Sequence, residues 1–352
     1  MNDRFNTMQR LLDTRKYFKL VCGAGNEDAE EVKRLTVLYT LAGAKGMDVS
    51  ATVNVVDHCM QGIDLAFELA PKLGISLVTR PFITVSVGMP GDHHVRKAVI
   101  DLDTCLECFL CIPVCPTDAI PDDFVIIEEK CIGCGDCSAI CPRDFIISYT
   151  HNHKELAEIL PLCLQAGAEQ IELHAAIADD SHIMEEWKIV SDANPGGHIS
   201  MCVDRLHLSN FAFEERVKKA KEIAGERLII QSDGYPMSGG EDDYNTTLQA
   251  IATADVLNKK FNMELNKRTG VLRYKKKMEV NQLLSGGTNS LTGVLADQTG
   301  VRFQGASLGT FARKIVKEVI SSESFYDDLE LIGKGVIIAK ELVVANVGEV
   351  DE

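Results

Sequence analysis

Eight cysteines fall within 37 residues, and they form one pattern written twice. The first run is Cys105-x-x-Cys108-x-x-Cys111-x-x-x-Cys115-Pro116, and the second is Cys131-x-x-Cys134-x-x-Cys137-x-x-x-Cys141-Pro142. This is the bacterial ferredoxin spacing for [4Fe–4S] ligation. Two-residue gaps curl a short loop so that three thiolates meet three irons of one cube. The fourth cysteine lies too far along the chain and reaches the other cube. The spacing therefore assigns Cys105, Cys108, Cys111 and Cys141 to one cluster, and Cys131, Cys134, Cys137 and Cys115 to a second. Gly133 and Gly135 let the second loop curl, and Pro116 and Pro142 fix the chain after each fourth ligand. Zinc ribbons pair two CxxC units across a longer loop, which is not this pattern. A secreted disulfide framework is shorter and less regular.

The sequence around the cysteines alternates strand-like and helix-like segments. Apolar runs at 18–23, 47–51, 82–87, 170–175, 198–203, 227–232, 280–285 and 301–305 read as strands. Segments 28–41, 54–73, 155–164, 180–193, 211–224, 244–260, 290–298 and 308–321 repeat apolar residues at helical spacing. Leu41-Ala42-Gly43-Ala44 before the second strand is echoed by Ala166-Gly167-Ala168 before the fourth. Repeated βα units imply a parallel sheet, and eight of them are what a TIM barrel requires. The predicted fold is thus a (β/α)8 TIM-barrel-like α/β chain with an inserted ferredoxin-like α+β domain; a doubly wound open sheet is the alternative. The divisions are 1–89 and 151–325 for the barrel, 90–150 for the insert and 326–352 for a C-terminal extension.

With 36 Lys+Arg against 52 Asp+Glu, the 352-residue chain carries a net charge of −16. Phosphate backbones are bound by clustered Lys and Arg, so this balance argues against a nucleic-acid partner. No apolar run approaches ~20 residues, so no membrane span is expected. Residues 1–19 lack a signal-peptide core. Together these features predict a cytoplasmic protein.

Barrel enzymes work at the C-terminal ends of their strands, which directs attention to several residues. Gly286, Gly287 and Thr288 follow the seventh strand, and Gly305, Gly309 and Thr310 follow the eighth. Glycine loops there opening onto helices form phosphate sites, and the spacing also resembles FMN barrels of the dihydroorotate-dehydrogenase type. The simpler reading is that these glycines permit tight turns. Asp233 and Ser238 lie in a Gly/Pro-rich loop after the sixth strand. His174 closes the fourth strand and Asp204 follows the fifth, making both candidates for a barrel site together with Asp233. His207 sits nearby, and His93-His94 precede the cysteines in a turn. The run Arg273–Lys277 reads as a solvated face or an acidic partner's dock. Cys22, Cys59, Cys163 and Cys202 read as small buried hydrophobes, with Cys22 and Cys202 alternatively facing the barrel mouth as redox thiols.

The order of motifs is recognisable. Phe-Lys-Leu-x-Cys-Gly-Ala (18–24), Tyr-Thr-Leu-Ala-Gly-Ala (39–44), the two-cluster insert, Ser-Asp-Gly-x-Pro-Met-Ser-Gly (232–239) and Gly-Gly-Thr-Asn (286–289) resemble the LdpA family over roughly residues 17–321. These are iron–sulfur proteins known from cyanobacteria as light-dependent period modulators. The resemblance implies a redox-sensing or electron-relaying protein with two [4Fe–4S] clusters; its members are linked to the redox state of the plastoquinone pool and to clock proteins. Three functions compete. The first is a redox sensor or electron carrier working with a redox protein partner. The second is an oxidoreductase whose clusters feed a flavin or a phosphorylated substrate at the barrel mouth. The third is a scaffold in which the clusters only staple the insert.

Overall fold

Eight short strands close into a parallel barrel in the computed structural model, which describes residues 3–88, 96–151, 155–206, 208–235 and 242–349. In chain order the strands are β1 (Tyr17–Val21), β2 (Gly46–Ser50), β3 (Phe82–Gly88), β4 (Arg96–Ile100), β5 (Ile147–His151), β6 (Gln170–His174), β7 (Ile199–Val203), β8 (Leu228–Asp233), β9 (Met263–Leu265), β10 (Leu272–Tyr274), β11 (Asn281–Ser285) and β12 (Gly305–Leu308). The barrel order is β1-β12-β11-β8-β7-β6-β3-β2. Strands β4 and β5 form an antiparallel pair, as do β9 and β10. The closed sheet replaces the open-sheet alternative.

Strand side chains alternate between two faces. On β1, Phe18 and Leu20 point out to the helices, and Phe18 stacks on Tyr39 of helix Ala29–Leu41 at 6.0 Å. Tyr17 and Lys19 point in. The inner face is layered. Tyr17, Phe82, Ile229 and Leu283 form an apolar floor, which Met8, Leu11 and Leu12 of helix Asp3–Asp13 plug from below. That helix was not anticipated, because a single amphipathic segment before the first strand has no echo in the βα repeat. Helix Leu329–Val347 covers the outside of β1 and β12, packing on helix Ala29–Leu41 and helix Thr292–Thr299. It is an additional outer helix beside those of the repeat.

The eighth strand is displaced from its expected position. Val301 and Phe303 alternate like strand residues, yet they pack with Ala296 and Leu284 beneath helix Thr292–Thr299, and the strand runs over Gly305–Leu308. Gly305 is the first strand residue and faces Tyr17, whose backbone carbonyl occupies the space a Cβ would need. It therefore sits at the foot of the barrel, away from the mouth, and the assignment of Gly305 to a phosphate loop is corrected. The helix predicted over 308–321 is two short pieces, Thr310–Ile315 and Lys317–Ile320.

The cysteine insert leaves the barrel after β3 and returns through β5 and helix Leu156–Ala166 to β6. It sits on the face of the barrel from which β3 emerges. Buried Lys97 clamps the two parts. Its ammonium donates to the Gly25 carbonyl of the barrel and to the carbonyls of Glu128 (2.6 Å) and Cys131 (2.8 Å) of the insert. Nearby, Glu27 N–H donates to the Glu129 carbonyl at 2.7 Å. A buried acceptor deprived of its donor costs ~1–3 kcal/mol. Lys97→Met is therefore expected to destabilise the insert by ~2–5 kcal/mol and to accelerate amide exchange over 96–151 while the barrel strands exchange as before. Uniform exchange across both parts would refute the clamp.

Candidate cluster sites and the cavity at the barrel mouth

The fold gathers the eight cysteines into two groups of four. Cys105, Cys108, Cys111 and Cys141 line one apolar pocket with Ile100, Phe109, Phe124 and Ile146. Cys115, Cys131, Cys134 and Cys137 line another with Ala98, Ile120 and Tyr149. In each group the fourth cysteine comes from the other run. The two loops share a backbone. Glu107 and Phe109 of the first have φ of 49° and 62°, and Gly133 and Gly135, at the matching positions of the second, have 66° and 93°. A side chain at Gly135 would meet the Arg96 guanidinium at 3.0 Å, so the crowded loop carries glycine and the open one does not. A left-handed non-glycine residue costs ~1–2 kcal/mol, so Glu107 and Phe109 hold a strain that the loop's closure around a ligand must offset.

The donor chemistry of both groups fits iron–sulfur clusters. In each group four sulfurs line an apolar pocket, and backbone N–H groups point at sulfurs of both groups, among them Ala98 to Cys131 at 3.3 Å, Ala119 to Cys115 at 3.2 Å and Glu107 to Cys105 at 3.4 Å. Such bonds tune cluster potential. Burial pushes the thiols of Cys134 and Cys137 up to about 12, so loading iron must displace protons.

The groups differ in exposure. Around the first, Leu106, Phe109 and Leu110 are exposed, and Phe145 is 98% exposed. The second abuts the barrel. Ile132, Cys134 and Arg96 roof a cavity of about 500 Å³ at the strand C-termini, inside the range of small-molecule sites. Arg96 donates to the Gly133 carbonyl at 3.0 Å and lies 3.8 Å over the Tyr149 ring.

The cavity floor is charged, which the sequence reading did not anticipate. Lys19 on β1 pairs with Asp48 on β2 (2.5 Å) and with Glu172 on β6, all three buried. Ser86 donates to Asp48, and Ser200 donates to Glu172 at 2.9 Å. Burial alone would lower the Lys19 pKa, but Asp48 and Glu172 outweigh it and hold the ammonium above its ordinary value. A lysine so paired offers no free amine. The signal was present: strands buried on both faces ordinarily read as continuous apolar runs, yet here Lys19, Asp48, Ser86, Glu172 and Ser200 interrupt them on one face.

His174, Asp233, Gly286, Gly287, Thr288, Gly309 and Thr310 all line the cavity, as do Cys22 and Cys202. Asp204 does not; its carboxylate accepts from Leu206 N–H at 2.9 Å and closes a turn. Burial pushes the Cys22 and Cys202 thiols well above their ordinary values, with Cys59 adding to the first and Asp233 and Glu172 to the second. At neutral pH neither is a thiolate, the form that redox attack needs. Cys59 and Cys163 are buried on helices. The glycines have packing reasons: a Cβ on Gly234 would strike the Thr246 and Gly286 carbonyls, and one on Gly286 would meet Asp233. Thr288 spends its hydroxyl on the Ser307 carbonyl at 2.6 Å. In the basic run, Arg273, Lys275 and Lys277 pair with Glu264, Glu279 and Glu226. His93, His94, His207 and Ser238 lie outside the described residues. No helix among the described residues is long and apolar enough to cross a membrane.

Comparison with known proteins agrees with the insert. Residues 103–152 match the LdpA Fe-S cluster-binding domain. Light dependent period A of Synechococcus elongatus is 31% identical over 243 residues, covering 68% of this chain and 66% of that protein. Among solved structures, the chain resembles the aldolase QR15 (9% identity, 85% of this chain and 91% of that one, TM-score 0.44). It also resembles the YdjI aldolase of Escherichia coli K12 (8% identity, 96% and 92%, TM-score 0.45). Neither aldolase bears on the chemistry here. The chain is an LdpA-like iron–sulfur protein, a closed (β/α)8 barrel carrying its cluster-binding domain as an insert.

Proposed function

We propose that the chain binds two [4Fe–4S] clusters, one on Cys105, Cys108, Cys111 and Cys141 and the other on Cys115, Cys131, Cys134 and Cys137, and acts in electron transfer or redox sensing. Such clusters supply one-electron chemistry at potentials set by charge, exposure and hydrogen bonds to sulfur. The observation that carries the reading is the placement of Cys134. It is at once a member of the second thiol group and part of the cavity roof. The first group lies at the exposed apolar rim around Phe109 and Phe145, a surface suited to a redox protein partner. The two ends of the insert thus face a partner on one side and the barrel on the other. The relative's name ties that protein to a light-dependent period, and a sensing role is the form of the proposal nearest to it.

A second reading, an oxidoreductase passing electrons to FMN or a phosphorylated ligand, is supported by the size of the cavity. The packing roles of Gly234 and Gly286 weaken the phosphate part of it. One measurement separates the readings: iron, sulfide and flavin content of anaerobically purified protein, with EPR before and after dithionite. About eight irons per chain, an EPR signal on reduction and no flavin is the expected result. Flavin at one per chain would put the oxidoreductase first. About four irons would overturn the two-cluster proposal.

A further inference from the structure

We infer that Glu172, His174 and Cys202, on the cavity floor, form a binding site for a single divalent transition-metal ion, with zinc as the best-fitting occupant. Glu172 and His174 stand two residues apart on β6, so both project into the barrel. Cys202 on β7 is the register partner of His174. The three buried side chains bring one oxygen, one nitrogen and one sulfur within 4.8 Å of one another. Cys202 Sγ is 3.2 Å from Glu172 Oε1, and His174 Nε2 is 3.7 Å from the same oxygen. Zinc bonds of ~2.0–2.3 Å in tetrahedral geometry place neighbouring donors ~3.3–3.6 Å apart. These two separations lie within ~0.4 Å of that range, and the third, between His174 and Cys202, is within 4.8 Å.

A further feature points to a cation. The carboxylate is oriented: Lys19 and Ser200 engage Oε2, leaving Oε1 to face the histidine and the cysteine. That is how outer-sphere partners fix a metal ligand. The Cys202 sulfur, which would release its proton on binding, an imidazole and a carboxylate form a borderline-soft set that suits zinc better than magnesium or calcium. Three protein ligands leave a fourth position, which opens to the 500 Å³ cavity. Catalytic zinc sites keep such an opening, and structural ones do not. The site stands independently of how electrons reach the cavity.

The test uses cluster-loaded protein, equilibrated anaerobically with zinc and freed of excess. Zinc and iron are counted together, and zinc X-ray absorption reports the ligands. The expected result is about one zinc per chain, bound by one sulfur and lighter atoms, with iron unchanged. Cys202→Ser and His174→Gln should each lower zinc affinity by more than the ~100-fold an outer-sphere loss can cost, and Ser200→Ala by ~10-fold. Cys163→Ala, on a helix away from the cavity, should retain the zinc. No retained zinc in the wild type, or zinc surrounded by three or four sulfurs, overturns the inference, the latter by placing the ion among the cluster cysteines. Should the variants also lose iron, the wild-type coordination spectrum decides alone.

Discussion

Lys19→Met should destabilise the barrel by ~3–5 kcal/mol near neutral pH, the cost of leaving buried charge without its partner. The variant keeps Asp48 and Glu172 facing the same dry interior with nothing between them. Each then resists ionisation, so each folded pKa rises above the ordinary carboxylate range of ~3.9–4.3. A raised carboxyl contributes stability at low pH and loses it as pH climbs through the folded value. The variant should therefore approach the wild type near pH 4 and diverge from it steadily toward pH 8. The wild type behaves differently because the two carboxyls move apart. Burial raises Asp48 to about 7, and the Glu172 charge adds to it. Burial also opposes ionised Glu172, but Lys19 first and His174 next hold that group down at about 2. Stability from Glu172 is lost only as pH falls below the ordinary range toward about 2, and that from Asp48 fades as pH rises through about 7. From these two groups, wild-type stability should thus be greatest at ~pH 4, where Glu172 is ionised and Asp48 still protonated, and decline toward ~pH 7. Anaerobic thermal unfolding of both proteins across this range checks the sign and the size. A Lys19→Met protein within ~1 kcal/mol of wild type near pH 8 would show that the triad is not the charge balance of the core.

The parts of the molecule legible in the sequence are those where one physical constraint dominates. The cysteine spacing belongs to this class, because the gap lengths set which sulfurs can share a loop. The βα alternation belongs to it too, because burial on one helix face and both strand faces writes two distinct periods. Legibility failed where a residue answers to a neighbour far along the chain. Gly305 reads as a loop glycine, yet its lack of a side chain accommodates the Tyr17 carbonyl across a strand pair. Asp204 reads as a mouth residue, yet its carboxylate is used two residues on, at Leu206. Val301 and Phe303 carry a strand's alternation while serving the underside of a helix. The charged floor shows the same limit. Lys19, Asp48 and Glu172 are separated by 29 and 124 positions in the chain, and only barrel closure makes them one group. His174 was found from its position at a strand end, whereas its partners Glu172 and Cys202 needed the β6–β7 register to become a set.

Crossed ligation makes the second large prediction, because sequence proximity and spatial grouping disagree. Cys115 belongs to the first run but lines the pocket of Cys131, Cys134 and Cys137, and Cys141 belongs to the second but lines that of Cys105, Cys108 and Cys111. Cys115→Ala should therefore damage the same site as Cys134→Ala, and Cys141→Ala the same site as Cys108→Ala. Alanine is the informative substitution, since a serine oxygen can itself ligate iron. Each variant is expected to fall from about eight irons to about four. The survivors should differ in kind. In Cys141→Ala the remaining site is the one against the barrel, with the Ala98 and Ala119 amides on its sulfurs. In Cys115→Ala it is the exposed one beside Cys108 and Phe145. Solvent access governs oxidative loss, so air should bleach the survivor of Cys115→Ala faster than that of Cys141→Ala. The EPR signal of a reduced pair should collapse to that of a single centre in both. If Cys115→Ala and Cys108→Ala instead leave the same species, each run holds its own four sulfurs, and the roof over the barrel cavity belongs to a different site from the one its cysteines suggest.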